Sequence, residues 1–290
     1  MKYHKSVLLN EGINALNVTK GRKYIDATLG GGGHTLEIIK RGGIVLGLDA
    51  DQEAIEFVKK NYELRIKNYE LRLAKGNFRN IDVLAKENGF GKVSGILFDL
   101  GISSHQIDTA QRGFSYILPG PLDMRMDKNL TVTASDLVNA LGKSELVDLF
   151  RNLGEETNAN RVADLVIKRR KIAPFKTTDD LTLTLATAYG FRTVNDFARA
   201  TSGKRVFQAL RIAVNDELGS LKEALPKALE LLENDGRIAI ITFHSLEDRI
   251  VKRAFIEFEE KNLGKIITKK PILPTEKEIE ENGRSKSAKL

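Results

Sequence analysis

A run of four glycines lies between two acidic residues near the start of the chain. Gly30–Gly33 follow an apolar segment that ends in Asp26 and precede a helical pattern. Glycine brings no side chain and costs backbone entropy, so such a run indicates a backbone that must approach a ligand closely. Asp49, 19 residues after Gly30, ends the next apolar segment, where a carboxylate can accept hydrogen bonds from ribose hydroxyls. The pattern predicts a nucleoside-binding site.

The charge at Asp26 helps to choose between the two ligands that use such a loop. Both NAD and S-adenosylmethionine enzymes carry a glycine-rich turn with a later acid. A carboxylate at the end of the first strand would repel a pyrophosphate, whereas it suits the cationic sulfonium and amino-acid end of S-adenosylmethionine. The alternative is an aspartate that only caps the turn.

Further polar groups follow the later apolar segments. Asp99 ends Val93–Asp99, where cofactor and acceptor should meet, and Gln106 soon after could hydrogen-bond an adenine or cytosine edge. His244 and Phe243 follow the last apolar segment. His244 is a candidate catalyst or a satisfied loop histidine, and Phe243 could stack on a base or belong to the core.

Strand and helix patterns alternate along the N-terminal part of the chain. This alternation predicts an α/β fold with a doubly wound, mostly parallel sheet, whose ligands lie beyond the carboxyl ends of its strands. The loops that begin at Asp26, Asp49, Gly76 and Asp99 should therefore meet at one edge. The predicted strands are 23–26, 44–48, 69–73, 93–99 and 237–242, and the predicted helices between them are 34–41, 51–60 and 81–87.

After residue 106 the pattern becomes helical, which predicts an inserted all-helical domain. The sequence shows no good strand between 132 and 205 and begins this part with a loop over 112–131. We therefore expect one discontinuous domain, 1–108 with 206–290, and an inserted domain, 109–205. Predicted helices lie at 145–152, 158–171, 178–188 and 206–232, and Gly219 and Pro226 mark breaks or a kink in the last. Capping boxes are predicted at Thr133 and Ser245, and Thr177 or Thr178 is predicted to cap the helix 178–188.

The overall charge favours a polyanionic partner. The 290 residues carry a formal net charge of +7 and a pI near 9.3. Basic clusters lie at Lys168–Lys171 and between Arg192 and Arg211. They are candidates for binding RNA phosphates, with solvated helix faces as the alternative.

The chain contains no cysteine, which excludes several kinds of chemistry. Disulfides, thiolate zinc sites and iron–sulfur clusters are ruled out, and we predict no metal site. Methylation of cytosine C5 through a thiolate adduct and zinc-dependent deamination are ruled out on the same ground. No membrane-spanning run or signal peptide is seen, so a cytoplasmic location is expected.

Several segments together resemble the bacterial 16S rRNA cytosine-N4 methyltransferases, the MraW/RsmH family. The resemblance covers nearly the whole chain, and its motifs are far more specific than a glycine loop. The matching segments are 4–11 (HKSVLLNE), 26–34 (DATLGGGGH), 99–104 with Gln106 (DLGISS), 112–115 (RGFS), 120–126 (GPLDMRM), 207–212 (FQALRI) with Asn215, Glu217 and Leu218, 243–249 (FHSLEDR) and 285–290 (SKSAKL).

This resemblance implies a Rossmann-like class I methyltransferase that binds S-adenosylmethionine and modifies a cytidine in the decoding region of small-subunit rRNA. The acceptor could be naked rRNA or the assembled small subunit, and the oligomeric state, monomer or homodimer, stays open. By matching positions, the cofactor residues are Gly32, Gly33, His34, Asp49, Phe78, Asp99 and Gln106.

Two other functions remain as alternatives at this point. One is an NAD-dependent oxidoreductase on the same type of sheet. The other is a non-catalytic RNA-binding protein with a vestigial cofactor pocket. In the favoured methyltransferase, Asp99 is the candidate catalytic group, and His244 is a weaker one.

Overall fold

The computed structural model describes residues 6–68, 70–191 and 203–290. The chain forms two compact units, one of Met1–Gly101 with Leu218–Leu290 and one of Ile102–Glu217. None of the helices in the described ranges has the length and apolar character that crossing a bilayer requires.

The first unit is built on a five-stranded parallel sheet with the order β3-β2-β1-β4-β5. This arrangement confirms the predicted α/β fold with a doubly wound parallel sheet. The strands are β1 (Lys23–Asp26), β2 (Ile44–Asp49), β3 (Leu71–Lys75), β4 (Val93–Asp99) and β5 (Leu232–Ile241).

Both faces of the sheet are covered, as the continuous apolar runs of its strands require. Successive side chains of a strand point to opposite faces. Ile96 and Phe98 of β4 therefore belong to one hydrophobic cluster, while Leu97 between them belongs to another. All three side chains are fully buried.

The helices of both units follow in chain order. They are α1 (Leu9–Leu16), α2 (Gly33–Lys40), α3 (Gln52–Asn61), α4 (Glu63–Lys67), α5 (Ile81–Glu87), α6 (Ser104–Asp108), α7 (Ala134–Ala140), α8 (Lys143–Gly154), α9 (Ala159–Arg170), α10 (Thr178–Tyr189), α11 (Lys204–Asn215), α12 (Glu217–Leu231), α13 (Ser245–Glu260) and α14 (Glu276–Glu281).

The break predicted in helix 206–232 was placed wrongly, while a kink at Gly219 or Pro226 stays a prediction. Gly219 and Pro226 both lie inside α12. The chain instead reverses at Asp216, which adopts a left-handed conformation with φ 45°. Next to this reversal, both guanidinium nitrogens Nε and Nη2 of Arg211 donate to the Glu217 carboxylate at 2.7 and 2.9 Å. Within the second unit this largely buried ion pair joins the end of α11 to the first residue of α12.

Strand β5 begins five residues before its predicted start. Leu232 pairs with Val93, and Arg237 pairs with Gly95, so the intervening residues bulge out of the ladder. Asp235 and Gly236, a pair typical of turns, lie in this bulge, and Asp235 has φ 64°. The predicted third strand is shifted toward Lys75, and its first residue, Tyr69, lies outside the described residues.

The second unit is helical, and two of its helices begin after the capping residues that the sequence predicts. Thr133 forms the predicted capping box with Asp136, and Thr177 forms another with Asp180. Among the described residues of this unit only an isolated bridge, between Pro121 and Thr177, represents β structure.

The two motif loops of the second unit are packed against each other. Arg112 is buried and donates to the carbonyls of Arg125 and Met126, while Asn215 donates to the Met124 carbonyl at 2.8 Å. Gly113 has φ 74°, and a Cβ there would overlap the backbone of Pro121. These contacts bring together, in the fold, motif residues that lie far apart in the sequence.

Candidate functional site

The glycine loop is held in place by Asp49. One carboxylate oxygen of Asp49 accepts the Gly30 N–H at 2.8 Å, and the other accepts the Asp51 N–H at 2.8 Å. Each oxygen keeps a second lone pair that could accept a ligand hydroxyl. Burial raises the pKa of Asp49 to about 6, with smaller contributions from the charges of Asp51 and Asp26.

The glycine positions before α2 have little room for side chains. Gly32 has φ 78°, and a Cβ there would lie 2.8 Å from the Tyr62 ring. A Cβ on Gly33 would overlap the Ser6 hydroxyl. Only glycine therefore fits this stretch, the glycine ledge, which lies at the N-terminus of α2 and next to the carboxyl ends of β1 and β2.

Asp26 lies beneath the loop and is buried, with 1% exposure. Its carboxylate accepts the Thr35 hydroxyl at 2.7 Å and the Thr28 N–H at 3.3 Å. Burial raises its pKa to about 6. The contacts thus correspond to the turn-capping alternative, and its distance from solvent argues against direct contact with a ligand.

Asp99 and His34 face each other at the end of β4. The Asp99 Oδ2 lies 3.6 Å from the His34 Nδ1, and the other ring nitrogen, Nε2, lies 3.2 Å from the Val7 carbonyl. The Asp99 Oδ1 is buried and has no hydrogen-bond partner among the described residues. Burial, and then the charges of Asp26 and Glu247, raise the pKa of Asp99 well above its usual value.

Three features lie at the same sheet edge: the glycine ledge, the anchoring acid Asp49, and Asp99, one oxygen of which has no partner among the described residues. They fit a group that brings hydroxyls to Asp49 and a reacting atom to Asp99. The MraW methylase family model matches residues 1–290. The chain belongs to the MraW methylase family.

Curated relatives agree with this assignment. Ribosomal RNA small subunit methyltransferase H of Halothermothrix orenii is 46% identical over 311 residues, covering 100% of this chain and 97% of that protein. The proteins of the same name from Carboxydothermus hydrogenoformans and Clostridioides difficile are 45% and 42% identical, and each comparison covers 99% of this chain and 96% and 97% of those proteins. As a member of a methylase family the chain is a methyltransferase, which sets aside the NAD-dependent oxidoreductase.

Phe78 of this methylase follows β3 at the same edge. It opens a short 3₁₀ turn capped by Asn77, whose side chain accepts the Arg79 N–H at 2.9 Å. The Phe78 ring is half-buried and meets the Phe98 ring edge-on, with centroids 5.7 Å apart. It can offer an apolar wall to an adenine, and its cofactor role remains a prediction.

Gln106 lies in the second unit of the methylase. It occupies the third position of α6, where its Oε1 accepts the Ser103 N–H at 2.9 Å and its own N–H donates to the Ser103 hydroxyl. The side chain thus stabilises the start of its own helix. Its contact with a cofactor base remains a prediction.

His244 caps a helix, a role that the sequence analysis assigned to Ser245. The capping residue of α13 is His244 rather than Ser245: its Nδ1 accepts the Glu247 N–H at 3.4 Å. The Glu247 carboxylate accepts the N–H groups of Phe243 and His244 in return. The sequence missed this cap because histidine is an uncommon capping residue. The His244 Nε2 is buried 3.2 Å from the Glu247 Oε1 but has no hydrogen bond of good geometry among the described residues, and its catalytic role remains a prediction.

Phe243 packs partly against a small cluster of Val7, Leu8, Ile241 and Ala288. The core alternative therefore accounts for part of its surface. The first residue of the 4–11 motif, His4, lies outside the described residues.

Three contributors to the site were not predicted from the sequence. The Thr28 hydroxyl accepts the Asp99 N–H at 2.6 Å. Tyr62 lies over the glycine loop and donates to the Gly31 carbonyl at 3.5 Å. The charge of Glu247 raises the pKa of Asp99. Thr28 stands inside the glycine motif, so its position was a usable signal. Tyr62 and Glu247 are brought in by distant helices and had no local signal.

The basic cluster Lys168–Lys171 divides into two pairs. Arg169 donates to the Ala173 carbonyl and pairs with Asp180 at 3.1 Å, and Arg170 donates to the carbonyls of Val138 and Leu141. These arginines stabilise the fold of the second unit. Lys168 and Lys171 are exposed and remain candidates for phosphate contact.

The second basic cluster is only partly described. Residues 192–202 lie outside the described residues. Lys204 and Arg205 are exposed at the start of α11, whereas Arg211 is engaged by Glu217.

The raised pKa of Asp26 predicts a pH dependence of stability. A buried carboxyl with a folded pKa of about 6 binds its proton more tightly than in the unfolded chain, so stability falls as the pH rises from about 4 to about 6. We expect Asp26→Asn to remove this fall, up to about 1.4 kcal/mol per pH unit. Urea unfolding of both proteins at several pH values measures the difference, and a constant difference across this range would contradict the expectation.

Proposed function

We propose that this methyltransferase transfers a methyl group from S-adenosylmethionine to the exocyclic N4 of a cytidine in the decoding region of small-subunit rRNA. The names of the curated relatives support rRNA of the small subunit as the substrate. The observation that carries the reaction type is that the Asp99 Oδ1, at the edge with the glycine ledge, has no hydrogen-bond partner among the described residues. The site of action follows as the compartment that contains the ribosome, the cytoplasm.

The residues at this edge fit the proposed cofactor. Asp49 has lone pairs left for ribose hydroxyls, Phe78 offers an apolar wall for the adenine, and Gly32 and Gly33 bring no side chain to the N-terminus of α2. With His34 and Asp99 they form the part of the proposed cofactor-binding set that lies in the first unit, and Gln106 is proposed for this set from the motif alone. When bound, S-adenosylmethionine supplies an electrophilic methyl group on a sulfonium.

The role of Asp99 follows from the electronic structure of the acceptor. The N4 of cytosine is a weak nucleophile because its lone pair is delocalised into the ring. A carboxylate oxygen that accepts a hydrogen bond from N4–H draws the lone pair out of conjugation and then takes the proton. A raised pKa makes the Asp99 carboxylate a stronger base than an ordinary aspartate. The remaining contribution is the positioning of the two reacting atoms.

Product analysis tests the whole proposal. The protein is incubated with methyl-labelled S-adenosylmethionine and small ribosomal subunits that lack the modification, and the rRNA is digested to nucleosides. We expect label in N4-methylcytidine. Label at another nucleoside would overturn the position, and tight RNA binding with no transfer would favour the non-catalytic alternative.

We propose that the second unit, Ile102–Glu217, contacts the RNA through its exposed basic residues. Binding should then weaken steeply with salt, because each neutralised phosphate releases condensed counterions. We expect replacement of Lys168 and Lys171 by alanine to reduce the slope of log affinity against log salt by up to about 1 per lost phosphate contact.

The control for this salt experiment is the replacement of Lys269 and Lys270 by alanine, which removes the same charge from exposed positions in the first unit. Filter binding of rRNA from low to physiological ionic strength measures both slopes. A flat dependence for the unmodified protein would contradict the proposal, and equal slopes for the two variants would exclude this lysine pair.

A further inference from the structure

His34 is oriented by a carbonyl oxygen, and this fixes which of its nitrogens carries the proton. A carbonyl can only accept a hydrogen bond, so the Nε2 that lies 3.2 Å from the Val7 oxygen must donate. Burial lowers the pKa of His34 to about 4, so the ring is neutral near neutral pH and holds a single proton. The lone pair of Nδ1 therefore points toward the Asp99 Oδ2.

The carbonyl that orients the ring is itself held in place. Val7 precedes Leu8, which adopts a left-handed conformation with φ 49° and is fully buried. The Leu8 N–H donates to the Glu278 carboxylate of α14 at 2.7 Å. The C-terminal segment thus fixes the turn that positions His34.

Two acceptors, the Nδ1 lone pair and a carboxylate oxygen, face each other at 3.6 Å. This arrangement becomes favourable only when a proton lies between them. The charged groups that act on Asp99 from the neighbouring elements, Asp26 at the end of β1 and Glu247 in α13, are both acidic and disfavour a second negative charge. Once Asp99 has taken a proton, the surroundings therefore favour keeping that proton between the two groups.

We propose that His34 and Asp99 act as a proton-holding pair, in which His34 positions and stabilises the proton that Asp99 takes from the acceptor amine. This rests on the proposed function. As the N–C bond forms, the C–S bond breaks and the electron pair of the C–S bond stays on sulfur. The acceptor nitrogen must then lose one N–H proton. The Asp99 Oδ1 takes that proton, and the carboxyl, turning about its Cβ–Cγ bond, keeps it as an O–H group that donates a hydrogen bond to the His34 Nδ1.

Two substitutions separate this role from simple support of the fold. His34→Gln places an amide donor near the Nε2 position, so the bond to Val7 can persist, but it removes the Nδ1 acceptor. His34→Asn offers an amide oxygen near the Nδ1 position and loses the bond to Val7. If the pair holds a proton, His34→Gln should change the pKa of Asp99 more than His34→Asn does. If His34 only supports the fold, His34→Asn should have the larger effect on that pKa.

The pKa of Asp99 is measured by carboxyl ¹³C NMR without cofactor, with Asp99→Asn used to assign the signal. We expect His34→Gln to lower it by about one pH unit, a tenfold change in proton affinity. The acid limb of the pH profile of kcat/KM should move to lower pH by the same amount. An unchanged Asp99 pKa together with an unchanged profile in His34→Gln would overturn the proposal.

A measurement on the unmodified protein keeps the proposal testable if the variants do not fold. The ¹⁵N shifts of His34 should show Nε2 protonated and Nδ1 bare at neutral pH, and a proton on Nδ1 with an ionised Asp99 would overturn the pair. Failure of the proposed function looks different. The unmodified protein would then transfer no methyl group to rRNA, while the NMR titrations would still report on the pair.

Discussion

Asp99→Asn is expected to lose methyl transfer by about 10²–10⁴-fold while the protein remains folded. The amide cannot take the proton released by the acceptor amine, and it is a weaker hydrogen-bond acceptor than the carboxylate. Folding should be retained because the change removes a charge that Asp26 and Glu247 disfavour. Single-turnover transfer of labelled methyl groups to small ribosomal subunits measures the loss, and thermal unfolding checks the fold.

The matched control for this change is Asp82→Asn. Asp82 is a half-exposed acid of α5 in the same unit, paired with Lys227 at 3.4 Å. It should keep the transfer rate close to that of the unmodified protein. Calorimetry with S-adenosylmethionine separates lost chemistry from lost cofactor binding, since Asp99 also belongs to the proposed cofactor set. Near-normal turnover of Asp99→Asn would remove Asp99 from its catalytic role.

Gly32→Ala is expected to weaken S-adenosylmethionine binding by about 100-fold. The left-handed backbone at φ 78° disfavours a Cβ by about 1–2 kcal/mol, and overlap with the Tyr62 ring adds about 1–3 kcal/mol. The loop can relieve both by moving away from its present path, which removes the ledge. Since about 1.4 kcal/mol corresponds to a tenfold change in affinity, the combined effect is large. Isothermal titration calorimetry measures it.

Gly91→Ala is the control, because a Cβ added to Gly91 would meet no heavy atom within 4 Å and its φ is not positive. It should bind the cofactor normally. Adding Tyr62→Ala to Gly32→Ala removes the steric part and should recover part of the affinity. Normal binding by Gly32→Ala in a protein that binds S-adenosylmethionine would show that the cofactor lies elsewhere.

The repeated segment Asn-Tyr-Glu-Leu-Arg shows where local sequence is insufficient. Its first copy, 61–65, spans the end of α3 and the start of α4, whereas the second, 68–72, leads into β3. Leu64 and Arg65 of the first copy are therefore helical, whereas the matching Leu71 and Arg72 of the second copy lie in a strand. The second copy pairs with β2, through Leu71 opposite Val45, and this tertiary contact overrides local preference.

The sequence by itself determined the strands β1 and β4, the helix α5, the capping box at Thr133 and the family, and it narrowed the cap of α10 to Thr177 or Thr178. These features depend on short-range patterns: apolar runs, side-chain caps and contiguous motifs. The glycine run and the three strand-end acids were also visible, because parallel strands bring their carboxyl ends to one edge.

Only the tertiary structure decided what each acid does. Asp26 and Asp99 both end strands, but burial turns Asp26 into a turn cap and leaves one oxygen of Asp99 without a partner among the described residues. The tautomer of His34 depends on the Val7 carbonyl, 27 residues away, and the turn at Leu8 depends on Glu278, 270 residues away. Such long-range contacts have no local pattern, because they arise from the packing of elements that the sequence separates.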